Sequence, residues 1–238
     1  MRAFFIAVLA LAPSMSPENA AAQEAPGPDR TVPLVDHLVY AVPDLELGIA
    51  RIESLLGIRA VQGGRHPGGG TRNALVSLGP GTYLEIIGPD PEQPEPEARR
   101  VFGIDDLVEP RLATWAARGR ELGALRGEAS AAGVRLGEVA GGSRMRPDGV
   151  LLSWQYTSPE TVIADGLVPF FIDWGDSPHP SASAPTGARL VGLRAEHPAP
   201  DEVREMLLAV GIDMPVEAGP EPALIAVIEG PRGSVELR

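Results

Sequence analysis

One order of elements, a strand, a helix and then more strands, recurs along this chain and limits what it can fold into. Val35 to Val42 is a β-rich run, Asp44 stands where a helix is capped, and Gly57 stands where it closes in a left-handed conformation. Between them Leu45, Ile49, Ile52 and Leu56 fall on one helical face. Arg59 to Gln62, Asn73 to Leu78 and Thr82 to Ile87 are predicted strands, separated by a Gly-rich turn (Gly63 to Gly70) and by Gly79-Pro80-Gly81. A second unit follows, with a strand at Leu112 to Ala117 and a helix burying Leu122, Leu125, Ala129 and Ala132 and ending near Gly133. Its later strands are Val150 to Tyr156 and Val168 to Trp174. A third unit begins near Arg189, turns Val203, Met206, Leu207 and Val210 inward on a helix stopped by Gly211, and ends in Leu224 to Ile228 and Ser234 to Leu237. Gly79-Pro80 precedes Glu85 by the interval at which Gly230-Pro231 precedes Glu236, as expected of an internal repeat. The predicted fold class is α+β, built of repeated βαβββ modules.

Glycine and proline make up 28 and 25 of the 238 residues, which favours turns over long helices. The Pro- and acid-rich stretch Pro89 to Glu97 reads as a connector between the first two modules. Modules at 34–90 and 111–175 are expected to form one domain over 34–187, with a third module at 188–238 packed beside it. Ahead of them, Arg2, the apolar run Ala3 to Ala12 and the small residues Ala20-Ala21-Ala22 have the layout of an export signal. Cleavage after Ala22 would leave 216 of the 238 residues, beginning with a linker at 23–33. A periplasmic or secreted protein is expected, with no stable membrane insertion after cleavage, because the apolar run is too short to cross a bilayer of about 30 Å.

The net charge of −12 argues against nucleic acid as a partner. A small-molecule substrate or ligand is expected instead, and a homodimer stays open. The chain has no cysteine, so any metal must be held by His, Asp, Glu, carbonyls or water. There are four histidines, His37, His66, His179 and His197. By strand alternation His37 shares a face with Val39 and Ala41, and Glu85 with Tyr83 and Ile87. A carboxylate inside YLEII is costly to bury unless it meets a cation or good donors. An imidazole with a carboxylate suits Zn, Fe, Mn or Ni. The competing reading is a satisfied core histidine and a glutamate paired with an arginine. His66 lies in the Gly-rich turn, where its ordinary pKa would suit proton transfer, or where it is a plain loop residue. Thr71 and Asn73 follow as donors to a substrate oxygen.

The phrases VDHLVYAVPDLELGIARIESLLG and GGRHPGGGTRNALVSLGPGTYLEIIGPDPE resemble the opening half of a glyoxalase-like domain, and PFFIDWGDSPHP resembles a later part of it. That group is the vicinal oxygen chelate superfamily, with isomerases, epimerases, dioxygenases, thiol transferases and drug-sequestering proteins among its members. The resemblance implies paired βαβββ modules curled around a cleft, with divalent-metal ligands from the first and fourth strands of each. His37 and Glu85 match those positions, and the resemblance makes His66 a third ligand or an acid–base group and gives Glu85 a catalytic part. The second module departs from the pattern. Leu112 or Ala113 matches His37, and a one-residue choice of register puts Ile172 or Asp173 opposite Glu85. Asp173 and Trp174 are carried as substrate contacts on that basis. In the third module Glu236 is retained but Val191 falls near the other ligand position.

His179 reads as a loop residue, His197 as a turn residue, and Trp115, Trp154 and Trp174 as core or as the wall of an apolar pocket. Arg144 and Arg146, near the Gly141-Gly142 turn, read as solvated loop charge or as binders of a substrate carboxylate. No GxSxG or GxGxxG signature in a strand–turn–helix context is present. The expectation is metal-assisted isomerase, lyase or dioxygenase-type chemistry on a small oxygenated metabolite. The rival is a binder that sequesters a small molecule in the same cleft, and a structural or regulatory module with a dead cleft is a third reading.

Overall fold

Strand β1 (Val35–Ala41) shows how the alternation is used: Leu38 and Tyr40 turn to one face of the sheet, Val39 and Ala41 to the other, and all are buried. The first face is covered by α1 (Leu45–Leu56). Leu45, Ile49, Ile52 and Leu56 of that helix join Leu38, Tyr40, Leu84 and Ile86 in the main core, each side chain adding about 1.5–3 kcal/mol of burial. Asp44 Oδ1 accepts from the Leu47 amide at 2.9 Å, and Gly57, with φ 77°, ends the helix as it must in the left-handed region. The computed structural model describes residues 32–146 and 148–238. The expected export segment 1–22 and the linker as far as residue 31 lie outside the described residues. Among the described residues no helix is long and apolar enough to cross a membrane.

Three further strands, β2 (Val61–His66), β3 (Thr71–Ser77) and β4 (Tyr83–Pro89), complete the first module. The second consists of β5 (Arg111–Arg118), α2 (Leu122–Ala131), β6 (Val139–Met145), β7 (Leu151–Thr157) and β8 (Phe170–Asp173). Together they form one eight-stranded sheet in the order β2-β3-β4-β1-β5-β8-β7-β6. In each module the first strand pairs parallel with the last, and β1 and β5 meet antiparallel at the centre. The sheet curls until its two edges meet, where Arg144 of β6 donates to the Gly63 carbonyl of β2. The sequence pattern predicts the α+β class and the module order, and the resemblance implies the curling of the mixed sheet seen here.

The third module has β9 (Arg189–His197), α3 (Pro200–Ala209), β10 (Val216–Ala218), β11 (Ala223–Gly230) and β12 (Gly233–Leu237). Its sheet order is β10-β9-β11-β12, so here the first strand is internal and the last lies at an edge. The element order repeats but the pairing does not. Glu236, spaced like Glu85, is consequently half exposed on β12 and ion-paired with Arg194 at 2.9 Å. The module packs against both others, with Arg232 donating to the Ser54 carbonyl of the first at 2.6 Å and the Leu112 amide of the second donating to the Arg238 carbonyl at 2.9 Å.

Ala132, expected on the buried face of α2, is instead its exposed C-cap, and two segments also differ from their sequence-based reading. Gly63 to His66 is strand, and the turn shrinks to Pro67–Gly70. A bulge between Gln62 and Gly64 (φ 150°) accommodates the glycines in β2. Gly141-Gly142 is likewise strand, in β6. Trp154 of β7 is the register partner of Gly142 and lies over it, and a Cβ at that position would stand 2.5 Å from the indole. The glycine marks a close approach rather than a turn.

Candidate functional site

The parallel β1–β4 register sets His37 beside Tyr83 and Val39 beside Glu85. Alternation therefore turns His37 and Glu85 to the same face, away from α1. The His37 and Tyr83 rings stack with centroids 4.6 Å apart. Against β5 the pairing steps from Val35↔Ala117 to His37↔Ala116, which makes Asp36 the extra residue of a bulge. Freed from strict alternation, the Asp36 carboxylate turns to the His37 side. It lies 2.8 Å from His37 Nδ1 and 3.1 Å from His179 Nε2, and both its oxygens accept from Trp174 Nε1 at 3.2 Å. Burial alone would push this carboxyl up, but the hydrogen bonds from His179 and His37 and the attraction of both rings hold it well below the usual carboxylate range. An ionised carboxylate only accepts, so His37 carries a proton on Nδ1, and a neutral ring presents its Nε2 lone pair. That Nε2 stands 3.9 Å from Glu85 Oε2.

His66, at the end of β2, reaches the same carboxylate from the other side, with Nε2 3.9 Å from Glu85 Oε1. Its Nδ1 is 2.9 Å from Thr71 Oγ1. The Asn73 amide nitrogen donates to Glu85 Oε1 at 2.5 Å and lies 3.4 Å from His66 Nε2. Burial lowers the His66 pKa below the ordinary imidazole value; Glu85 pulls against this, and Arg144 and His37 add to it. The ring is thus neutral near pH 7. Asn73 Oδ1 is buried without a partner among the described residues and faces Gly63, where a Cβ would stand 2.4 Å away. Thr71 and Asn73, expected as substrate donors, are held here by His66 and Glu85.

These groups form one corner of a cavity of about 560 Å³. The second module supplies the facing wall, with Trp154, Tyr156, Phe170, Ile172, Trp174 and Arg144. The Trp154 and Trp174 rings lie 5.1 Å apart at 50°. Strand parity gives Ile172 and Trp174 to the cavity and turns Asp173 away from it. Asp173 Oδ1 accepts from the Gly175 amide at 2.9 Å and closes a turn, so the structure does not bring Asp173 to the cavity. His179 orients Asp36 from outside the cavity, His197 lies 3.3 Å from Asp165, and Trp115 is core, its Nε1 donating to the Leu167 carbonyl at 2.9 Å. Arg144, read as solvated, is only 4% exposed.

Sequence reasoning missed Asp36. Its signal was present: two adjacent polar residues in VDHLVYA, a buried strand where alternation leaves room for one.

As a donor set for a divalent ion, His37 Nε2 and Glu85 Oε2 fit. Two bonds of about 2.0–2.2 Å allow donors up to ~4.4 Å apart, and these are 3.9 Å apart. Among the described residues no group of three or more His, Cys, Asp or Glu side chains is close enough to hold one ion. The Asn73 amide stands between His66 Nε2 and Glu85 Oε1, so the protein offers two donors and leaves the other positions to substrate oxygens and water.

A family profile described as a glyoxalase-like domain matches residues 35–211. No curated protein matches the chain. Among solved structures, a hypothetical protein from Staphylococcus aureus is similar with a TM-score of 0.60 at 14% identity, over 81% of this chain and 90% of that one; this likeness is one of fold. A methylmalonyl-CoA epimerase from Mycobacterium tuberculosis aligns with a TM-score of 0.42 at 22% identity, over 67% of this chain and 98% of that one.

Proposed function

Because the chain belongs to the glyoxalase-like domain family, we propose that it is an enzyme that moves a proton on a small oxygenated metabolite, with a divalent metal held by His37 and Glu85. One observation carries the reading: the two Nε2 atoms of His37 and His66 each stand 3.9 Å from a different oxygen of one buried carboxylate, at the corner of a cavity. Zn, Fe, Mn or Ni suits that donor pair. When bound, such an ion would supply Lewis-acid polarisation of adjacent substrate oxygens.

The chain's own residues do the rest. Asp36 fixes the His37 tautomer and ring plane, as a carboxylate behind a ligating imidazole does. Asn73 occupies Glu85 Oε1 and leaves Oε2 facing His37. Neutral His66 takes a proton at Nε2, its other nitrogen being engaged by Thr71. The aromatic wall gives the cavity an apolar face opposite the reacting corner.

Metal content and melting temperature of wild type, His37→Ala and Glu85→Gln test this reading together. Wild type should take up a divalent ion, and both folded variants should lose more than about tenfold in affinity. If wild type takes up none of Zn, Fe, Mn or Ni when each is supplied, the metal-assisted reading is overturned.

A further inference from the structure

The second module brings a charge into the cavity that the reaction outlined above does not use. Arg144 is 4% exposed, yet among the described residues no carboxylate lies within ion-pair distance of its guanidinium. Its neighbour Arg146 is satisfied by Asp148 at 2.5 Å. Arg144 Nη1 donates to the Gly63 carbonyl across the meeting of β6 and β2. Gly64 leaves the room for this, since a Cβ there would stand 3.2 Å from Nη1. This one donated bond uses a single one of the five N–H donors of the guanidinium. A buried cation with no carboxylate directly ion-paired to it is costly, and a clasp between two strand edges needs no charge. Arg144 also lines the cavity that holds Glu85 and the Trp154–Trp174 pair.

We infer that Arg144 is the anion-recognition residue of this cavity and that its ligand is a carboxylate with an aromatic body. A planar fork of donors matches a carboxylate's two oxygens. A monoanion suits the surroundings better than a dianion: the cavity offers one guanidinium and already contains Glu85, so a second negative charge on the ligand, as on phosphate, has no cation to meet. Trp154 and Trp174, tilted 50° to one another, and Phe170 offer faces and edges to a flat ring. Any further oxygens of a substrate held this way share the cavity with His37, Glu85 and His66. The inference names the substrate class for the proposed enzyme and so rests on that reading, but binding of the acid does not require metal.

The experiment is calorimetric titration of chelator-treated protein with 2-naphthoate and with its neutral analogue 2-naphthamide. Wild type should bind the carboxylate about ten- to a hundredfold more tightly, the worth of hydrogen bonds to a charged group. Arg144→Gln should bring the two affinities together. Arg144→Lys keeps a charge and a donor for Gly63 but cannot fork, and should weaken naphthoate by about tenfold even if Arg144→Gln does not fold. Equal affinity of wild type for the two probes, binding of neither, or naphthoate affinity unchanged in Arg144→Lys overturns the inference. So does competition by inorganic phosphate at concentrations equal to naphthoate. Because the protein is metal-free throughout, failure here leaves the metal-uptake result standing, and failure of metal uptake leaves this one.

Discussion

Replacing Asp36 with asparagine keeps its shape and removes its charge, which makes Asp36→Asn a sharp test of the network behind His37. The wild-type carboxylate, 1% exposed, accepts from three side chains: His37 at 2.8 Å, His179 at 3.1 Å and Trp174 at 3.2 Å. Hydrogen bonds to a charged partner are worth about 1.5–3 kcal/mol each. The variant's single amide oxygen can keep one side of the network, while its NH2 points a donor at donors. Breaking a buried charged network in this manner costs about 3–5 kcal/mol. At about 2–4 °C per kcal/mol for a chain of this size, melting should fall by about 6–20 °C. The pH dependence has a definite sign. Asp36 is depressed in the folded state, so its contribution is fully present above the unfolded value of about 3.9 and is lost as pH falls toward the folded value. Urea unfolding from pH 3 to pH 7 should show a gap between wild type and variant that is constant above about pH 5 and narrows below about pH 4. A variant within about 1 kcal/mol of wild type, or a gap that ignores pH throughout, refutes the assignment of an ionised Asp36 clamped by three donors.

Three further outcomes are expected. Gly142→Ala places a Cβ 2.5 Å from the Trp154 indole, and the displaced ring should cost about 1–3 kcal/mol and weaken naphthoate binding; unchanged melting and affinity would show that Trp154 is free to move. Asp44→Ala removes the acceptor for the Leu47 amide and should destabilise by about 1 kcal/mol in chemical denaturation without altering metal content, whereas a loss of metal would tie α1 to the site. Protein recovered from the cell envelope or medium should begin at Gln23 on N-terminal sequencing, and protein confined to the cytosol with Met1 retained would refute export.

The sheet and its reacting corner differ in how much of each could be read from residues alone. Strands that alternate strictly, such as Tyr83–Pro89, declare their faces, and so the shared face of His37 and Glu85 was legible. The helix from Asp44 to Gly57 was legible because cap, apolar face and stop are all local. Asp36 was not, because a bulge breaks the rule by which faces are assigned, and a bulge is set by the partner strand β5. Strand β6 was hidden by Gly141 and Gly142, whose lack of side chains serves Trp154 on another strand. With that strand unseen, Arg144 read as solvated when it is one of the most buried charges in the chain. Glu236 misled in the opposite sense, since equal spacing along the chain carries no information about which strands pair.

The antiparallel meeting of β1 and β5 relates two like-built halves, yet the polar donors of the reacting corner come from one half and the gripping surface from the other. Duplication of a module leaves one copy under obligation to the chemistry and releases its twin to change. On the proposed reading, substitutions within 111–175 would retune which acid is accepted while His37, His66 and Glu85 stay as they are. Lineages built on this plan should diversify in substrate by altering one half of the sheet at a time.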